Sequence, residues 1–226
     1  MAIHIARAAL GRIFFQRCFY LFVALLLLVV LAPLVEPTPM GRAIVTGINM
    51  LIVLAAAATL GQTPASFTIA LLLAGPTIAF QWLGLRVLGS EMLMWSWAFG
   101  AALYTATLAY LLNYVFRRDV MTADKLWGSA ASYLMIGVLW VYLYVLVEYF
   151  HPGSFGSGGV PGKYDLSEMV YFSFTVLTST GFGDITPMSR QARSLCTLEQ
   201  IIGVLFVTIL IARLAGVYPP KGDAQD

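Results

Sequence analysis

Apolar residues run in long blocks along this chain, and the charges that separate the blocks are few. A bilayer core of about 30 Å takes roughly 20 consecutive apolar residues as a helix, so charge-free gaps of that length predict membrane spans. Six are predicted: Phe14 to Val35, Ala43 to Leu60, Phe67 to Leu83, Met92 to Phe116, Trp127 to Phe150 and Leu195 to Val217. No charge occurs between Arg42 and Arg86, and Gly61-Gln62-Thr63-Pro64 divides that stretch in two. The first block is longer than the roughly 7 to 15 apolar residues of a secretory signal and lacks an A-x-A cleavage site, so it is read as a retained helix.

A seventh apolar run, Met169 to Leu177, is too short to cross a membrane. Asp165 stands three residues before Glu168, the spacing of a capping box, so a short helix is predicted to begin there. Ahead of it, the loop from His151 through Gly162 holds five glycines and two prolines and belongs outside the bilayer. Behind it, Thr178-Ser179-Thr180-Gly181-Phe182-Gly183-Asp184 reads as an extended segment that returns the chain to the surface at Ile185-Thr186-Pro187. A re-entrant helix with irregular backbone at that depth is tolerated only where it is buried in protein or lines a water-filled path.

Composition agrees with this pattern. Of 226 residues, 60% are hydrophobic and 11% charged, against about a quarter charged in a globular domain, and mean hydropathy is +0.84. The fold class is therefore an all-α membrane protein, not a cytosolic enzyme, and a net charge of +2 supports no nucleic-acid-binding patch. Cys18, Cys196, His4 and His151 are too few for a zinc site or a disulfide framework, and both cysteines read as small packing residues. With the termini inside, inner segments hold eight lysines and arginines and outer segments five, which favours both termini in the cytoplasm. Trp82, Trp95 and Trp97 then flank an outer loop and Trp127 the inner face.

From Trp127 to Val217 the order is outer helix, glycine-rich turret, short helix, T-x-G-[YF]-G-D-like segment and inner helix. This order resembles the potassium-channel pore family. A dehydrated cation must find oxygens that replace its water, and backbone carbonyls supply them if all face one axis. Gly181 and Gly183 accept backbone angles that side-chained residues resist. The resemblance implies that the carbonyls of Ser179, Thr180, Gly181 and Phe182, with the Ser179 hydroxyl, bind K+ as the permeant ion. Gly183 closes the outer end, and Asp184 sits at the outer mouth. The carbonyls at the end of the short helix, around Leu177, would aim partial negative charge at a mid-membrane cavity. The sequence departs from the family pattern in Ser179 for threonine, Thr180 for valine or isoleucine, and Phe182 for tyrosine.

Filter support is assigned to Tyr171, Thr178, Glu148 and Glu199. Tyr171 stands where some relatives place a tryptophan that bonds the filter aspartate. Glu148 resembles a glutamate that caps backbone amides near the start of the inner helix, and an interfacial glutamate facing water fits its position equally. Glu199 is read as a brace for the pore helix, with pairing to Arg190 or Arg193 as the other reading. Gly203 resembles a gating hinge, and close packing is the alternative. Val204, Val207 and Ile211 share one helix face and suit a cavity lining or a packing stripe. Arg213 is read as snorkelling to headgroups.

Voltage sensing needs three or four arginines in a moving span; the fourth span carries none, and the first is free of charge from Cys18 onward. Residues 14–116 are thus expected to form a four-helix membrane domain without gating charges. The expected neighbours are a cytoplasmic N-terminus at 1–13, a linker at 117–126, the pore domain at 127–217 and a cytoplasmic tail at 218–226. That tail is too short for a ligand-binding domain. A single filter segment requires four copies for a ring, so a homotetramer surrounded by lipid is expected. The expected activity is voltage-independent potassium conduction in a plasma membrane, with short loops of prokaryotic type. The competing readings are a weakly selective cation channel and a non-conducting, ligand-sensing subunit. An enzyme would have to draw on His151, Ser154 and Asp165, which nothing orders.

Overall fold

The computed structural model describes residues 17–35, 39–60, 64–87, 90–117 and 122–217. The expected cytoplasmic ends at 1–13 and 218–226, and the linker residues 118–121, lie outside the described residues. Among the described residues, the helices before the turret are α1 (Arg17–Val35), α2 (Pro39–Leu60), α3 (Pro64–Val87), α4 (Ser90–Val115) and α5 (Ala123–Phe150). A hairpin of β1 (Phe155–Ser157) and β2 (Val160–Pro161) follows, then α6 (Leu166–Leu177), β3 (Thr186–Pro187) and α7 (Arg190–Val217). Helices over Glu91–Val115, Ala123–Phe150 and Arg190–Ala215 are long and apolar enough to cross a membrane. Shorter apolar stretches, Cys18–Ala32, Ile44–Ala56 and Thr68–Gln81, lie within α1, α2 and α3.

Several helices begin ahead of the hydropathy pattern, α2 at Pro39 rather than Ala43 and α3 at Pro64 rather than Phe67, and for α5 and α7 a cap gives the reason. Thr122 accepts from the Lys125 amide at 3.4 Å, so α5 begins four residues before Trp127 and draws Asp124 and Lys125 out of the expected linker. Ser189 accepts from the Ala192 amide at 3.1 Å, so α7 begins at Arg190 rather than Leu195. The turret is also more ordered than its glycine content suggests. Ser157 pairs with Val160 across Gly158 and Gly159, whose φ values of 56° and 82° suit a two-residue hairpin turn. The strand order β2-β1-β3 then ties this hairpin to the segment that follows Asp184.

α5 organises the packing because it is buried on two faces. Ala131, Met135, Val138 and Tyr142 join a core with α1 to α4, while Ile136, Trp140, Val141 and Tyr144 join a second core with α6 and α7. The first core contains a polar node that links three helices. Asn49 Oδ1 of α2 accepts from the Tyr104 hydroxyl of α4 at 3.2 Å and from the Tyr142 hydroxyl of α5 at 3.0 Å. The Tyr142 ring occupies the space that a side chain at Gly100 would need.

Asn49→Ala would strand both hydroxyls in an apolar interior. We expect a loss of about 1–2 kcal/mol, read as a lower thermal midpoint in detergent micelles, with a smaller loss for Tyr104→Phe. An unchanged midpoint for Asn49→Ala would show that the node does not hold α5 to the first four helices.

Candidate functional site

α6 starts where the capping box predicts. Asp165 Oδ1 accepts from the Glu168 amide at 3.0 Å, and Glu168 Oε2 accepts from the Asp165 amide at 2.9 Å. At its other end the helix carbonyls do not aim at open space. Ser179 donates its amide to Val176 O at 2.9 Å, and Thr180 and Gly181 donate to Thr175 O at 2.9 and 3.1 Å. Three successive amides are thus turned toward the helix, and they satisfy the orphan carbonyls of Thr175 and Val176 in its last turn. The Leu177 carbonyl lies against Gly203 of α7.

The backbone alternates along this segment. Ser179, Gly181 and Gly183 have φ of 57°, 54° and 81°, while Thr180 and Phe182 keep negative φ. Alternation of left- and right-handed residues places successive amides on one side of the strand and successive carbonyls on the other. Ser179 is the one non-glycine with positive φ among the described residues, a conformation that costs about 1–2 kcal/mol. Glycine spacing alone misses it, but extending the two-residue step from Gly183 and Gly181 arrives at Ser179. The Thr178 hydroxyl donates to Phe174 O at 2.7 Å and lies 2.9 Å from the Thr180 hydroxyl.

At the outer end, Tyr171 of α6 makes two contacts. Its ring stacks on Phe182, with centroids 6.3 Å apart and planes 4° from parallel, and its hydroxyl hydrogen-bonds Asp184. That bond holds the Asp184 carboxyl below its ordinary range, helped by the Ile185 amide and opposed by partial desolvation. Glu148 accepts from the amides of Gly153 and Ser154 at 2.7 and 2.9 Å. These belong to the turret rather than to the start of α7. The link to α7 is made one step later, where the Ser154 carbonyl accepts from Met188 and Ser189 at 2.7 and 3.3 Å.

Behind α6 the carboxylate of Glu199 is fully buried. It accepts from Ser173 Oγ of α6 at 2.6 Å and from the Tyr144 hydroxyl of α5. Ser173 also lies 2.8 Å from the Gly137 carbonyl. One side chain therefore joins inner, pore and outer helices. Arg193 turns elsewhere, its Nε donating to Pro187 O at 3.2 Å. Sequence reasoning missed Tyr144 and Ser173 because neither is charged; a polar residue in an otherwise apolar run was the available signal. Gly203 is buried where a Cβ would collide with the Leu177 backbone, and α7 runs unbroken through it. Val204, Val207 and Ile211 are exposed on α7. The His151, Ser154 and Asp165 set makes local contacts: the Ser154 hydroxyl donates to His151 O at 2.6 Å, and Asp165 caps α6.

Two consequences can be measured. A depressed carboxyl stabilises the folded mouth at pH above its unfolded range, and that contribution is lost as pH falls through the lowered folded value. Tyr171→Phe should therefore raise the Asp184 pKa and shift the acid transition to higher pH, read by carbon NMR of the labelled carboxylate; identical titrations would refute the contact. Glu199→Ala should destabilise the protein by about 1–3 kcal/mol by leaving the buried Tyr144 hydroxyl without its carboxylate acceptor and Ser173 with only the Gly137 carbonyl, read by denaturation in micelles. A neutral result would remove Glu199 as the joint between the three helices.

Comparison with known proteins bears on the same region. A family model described as an ion channel matches residues 132–218, which run from α5 through the filter segment to the end of α7. The potassium channel protein kcv of Paramecium bursaria Chlorella virus 1 is 30% identical over 81 residues, which make up 34% of this chain and 85% of that protein. No solved structure matches. The filter segment, the helices that hold it and a relative covered over most of its length agree, and the chain belongs to the potassium-channel pore-domain family.

Proposed function

We propose that four copies of this chain surround one axis and conduct K+ selectively and passively across a cell membrane, without a voltage sensor. The observation that carries this reading is the alternation of φ from Ser179 to Gly183, with the amides of Thr180 and Gly181 held by Thr175. It leaves a row of carbonyls free on the other side of the strand, the arrangement a desolvated cation needs. In one chain these residues are uncovered, and Phe182 is 69% exposed. Irregular backbone of this kind at membrane depth needs protein or a water path around it, and fourfold assembly supplies both.

Val204, Val207 and Ile211 then face the axis as an apolar cavity lining, and Asp184 places negative charge at the mouth. Residues 14–116 act as a membrane domain without gating charges, 127–217 form the pore, and both termini lie in the cytoplasm. Phe182 lacks a hydroxyl to brace the filter, and its stacking on Tyr171 takes that place.

The test is ion flux into liposomes that contain the purified protein. Potassium should pass, sodium should pass little, and Gly181→Ala should abolish flux. No atom lies within 4 Å of a Cβ built at Gly181 in the single chain, so the variant acts through its φ of 54°. Equal passage of both ions would contradict selectivity. Flux that survives Gly181→Ala would contradict the filter assignment.

A further inference from the structure

Thr178 and Thr180 flank Ser179, and their hydroxyl oxygens lie 2.9 Å apart. The Thr178 hydroxyl also lies 2.7 Å from the Phe174 carbonyl, which the Thr178 amide reaches at 3.1 Å. A hydroxyl has one proton to give and a carbonyl has none, which sets the order: Thr178 donates to Phe174 O, and Thr180 donates to Thr178. The result is a two-step relay from the filter strand to the last turn of α6. Its far end is held in turn, because the Phe174 ring fills the space that a side chain at Gly137 of α5 would need.

The relay spans the strained residue of the strand. Thr178 closes the helix with φ of −84° and ψ of 0°, and Ser179 then turns to φ of 57°. A left-handed backbone at a side-chained residue is unfavourable, so the strand gains by relaxing away from α6 unless something opposes it. The amides of Ser179, Thr180 and Gly181 oppose it from the backbone, and the relay opposes it from the side chains. Valine and isoleucine, the residues of the family pattern at position 180, share the branched shape but have no donor. Because the relay ends on α6, the Thr180 hydroxyl is directed at the pore helix and not at the side of the strand where the carbonyls lie.

We propose that the Thr180 side chain is a positioning residue for conduction, which holds the empty filter in its ligand-ready backbone through Thr178 and Phe174. The proposal rests on the conduction reading above and gives a side chain a part where only the carbonyl had one. Ions bind the strand whose carbonyls face the axis, so apparent affinity falls with the fraction of empty strands in that form. Without the relay that fraction drops by the worth of one net hydrogen bond, about fivefold. Both threonines are exposed in the single chain, and assembly around the axis excludes the water that competes for their hydroxyls.

The experiment measures potassium flux into liposomes over a range of potassium concentrations for the full chain and for Thr180→Val and Thr180→Ser, beside thermal midpoints of the same proteins in detergent micelles. Thr180→Val should raise the half-saturating concentration about fivefold and lower the maximal flux by less, and Thr180→Ser, which keeps the donor, should restore half-saturation. Thr180→Val should also lower the thermal midpoint, yet lower it no further in a Thr178→Val background, where the acceptor has already gone. Half-saturation unchanged in Thr180→Val overturns the proposal. A rise in Thr180→Ser as large as in Thr180→Val also overturns it, because the effect then belongs to packing rather than to the hydroxyl. Equal lowering of the midpoint in both backgrounds overturns the relay. Wild-type protein that passes no potassium overturns the conduction reading itself, and the midpoint comparison then decides the relay alone.

Discussion

Inside a bilayer no water replaces a missing hydrogen-bond partner, and the segment from Thr178 to Asp184 is neither helix nor strand ladder. Its amides solve the problem locally: those of Ser179, Thr180 and Gly181 close onto the last turn of α6. The carbonyls are then the groups left over, and the alternating φ values turn them to the side away from α6. What would be a defect in a soluble protein becomes, on the proposed reading, a ligand row for a cation that takes the place of water. Every other support in the site keeps α6 and this strand in that relation, from the capping box at one end to Gly203 pressed on Leu177 at the other.

α5 transmits that relation to the rest of the molecule through two tyrosines. Tyr142 and Tyr144 are two residues apart and so project from opposite sides of the helix. One bonds Asn49 in the first four helices, and the other bonds Glu199 behind the pore helix. A shift of the four-helix unit against α5 therefore bears on the helix whose Tyr144 bonds Glu199, the side chain that holds α6 from α7. The Arg213 contact with Arg117 forms a second connection between the same parts, at the far end of α7.

Much of this was legible in the sequence. Charge-free blocks located the described helices before the turret, and Asp165-x-x-Glu168 located the start of α6 within a residue, because capping is a local interaction. The filter strand was legible from Gly181 and Gly183. Ser179 was named among the ligands, but its left-handed backbone was not foreseen; there the Ser179 and Thr180 amides fold back onto the Val176 and Thr175 carbonyls. The Glu199 node depends on three helices meeting, which periodicity does not reveal. Glu148 was legible as a cap but not in its partners: it orders the turret, and the turret's Ser154 carbonyl then orders the entry to α7. The turret read as irregular from its glycines, yet two of them form the hairpin turn that makes it a sheet.

The central claim is that the carbonyls from Ser179 to Phe182 bind a dehydrated monovalent cation on an axis shared by four chains. Anomalous diffraction from crystals grown in thallium, which substitutes for potassium, tests it most directly. The account predicts a column of anomalous peaks on a fourfold axis beside those carbonyls, lost in crystals grown in sodium alone. A fourfold assembly with no peak beside them, or peaks that persist in sodium, would contradict it.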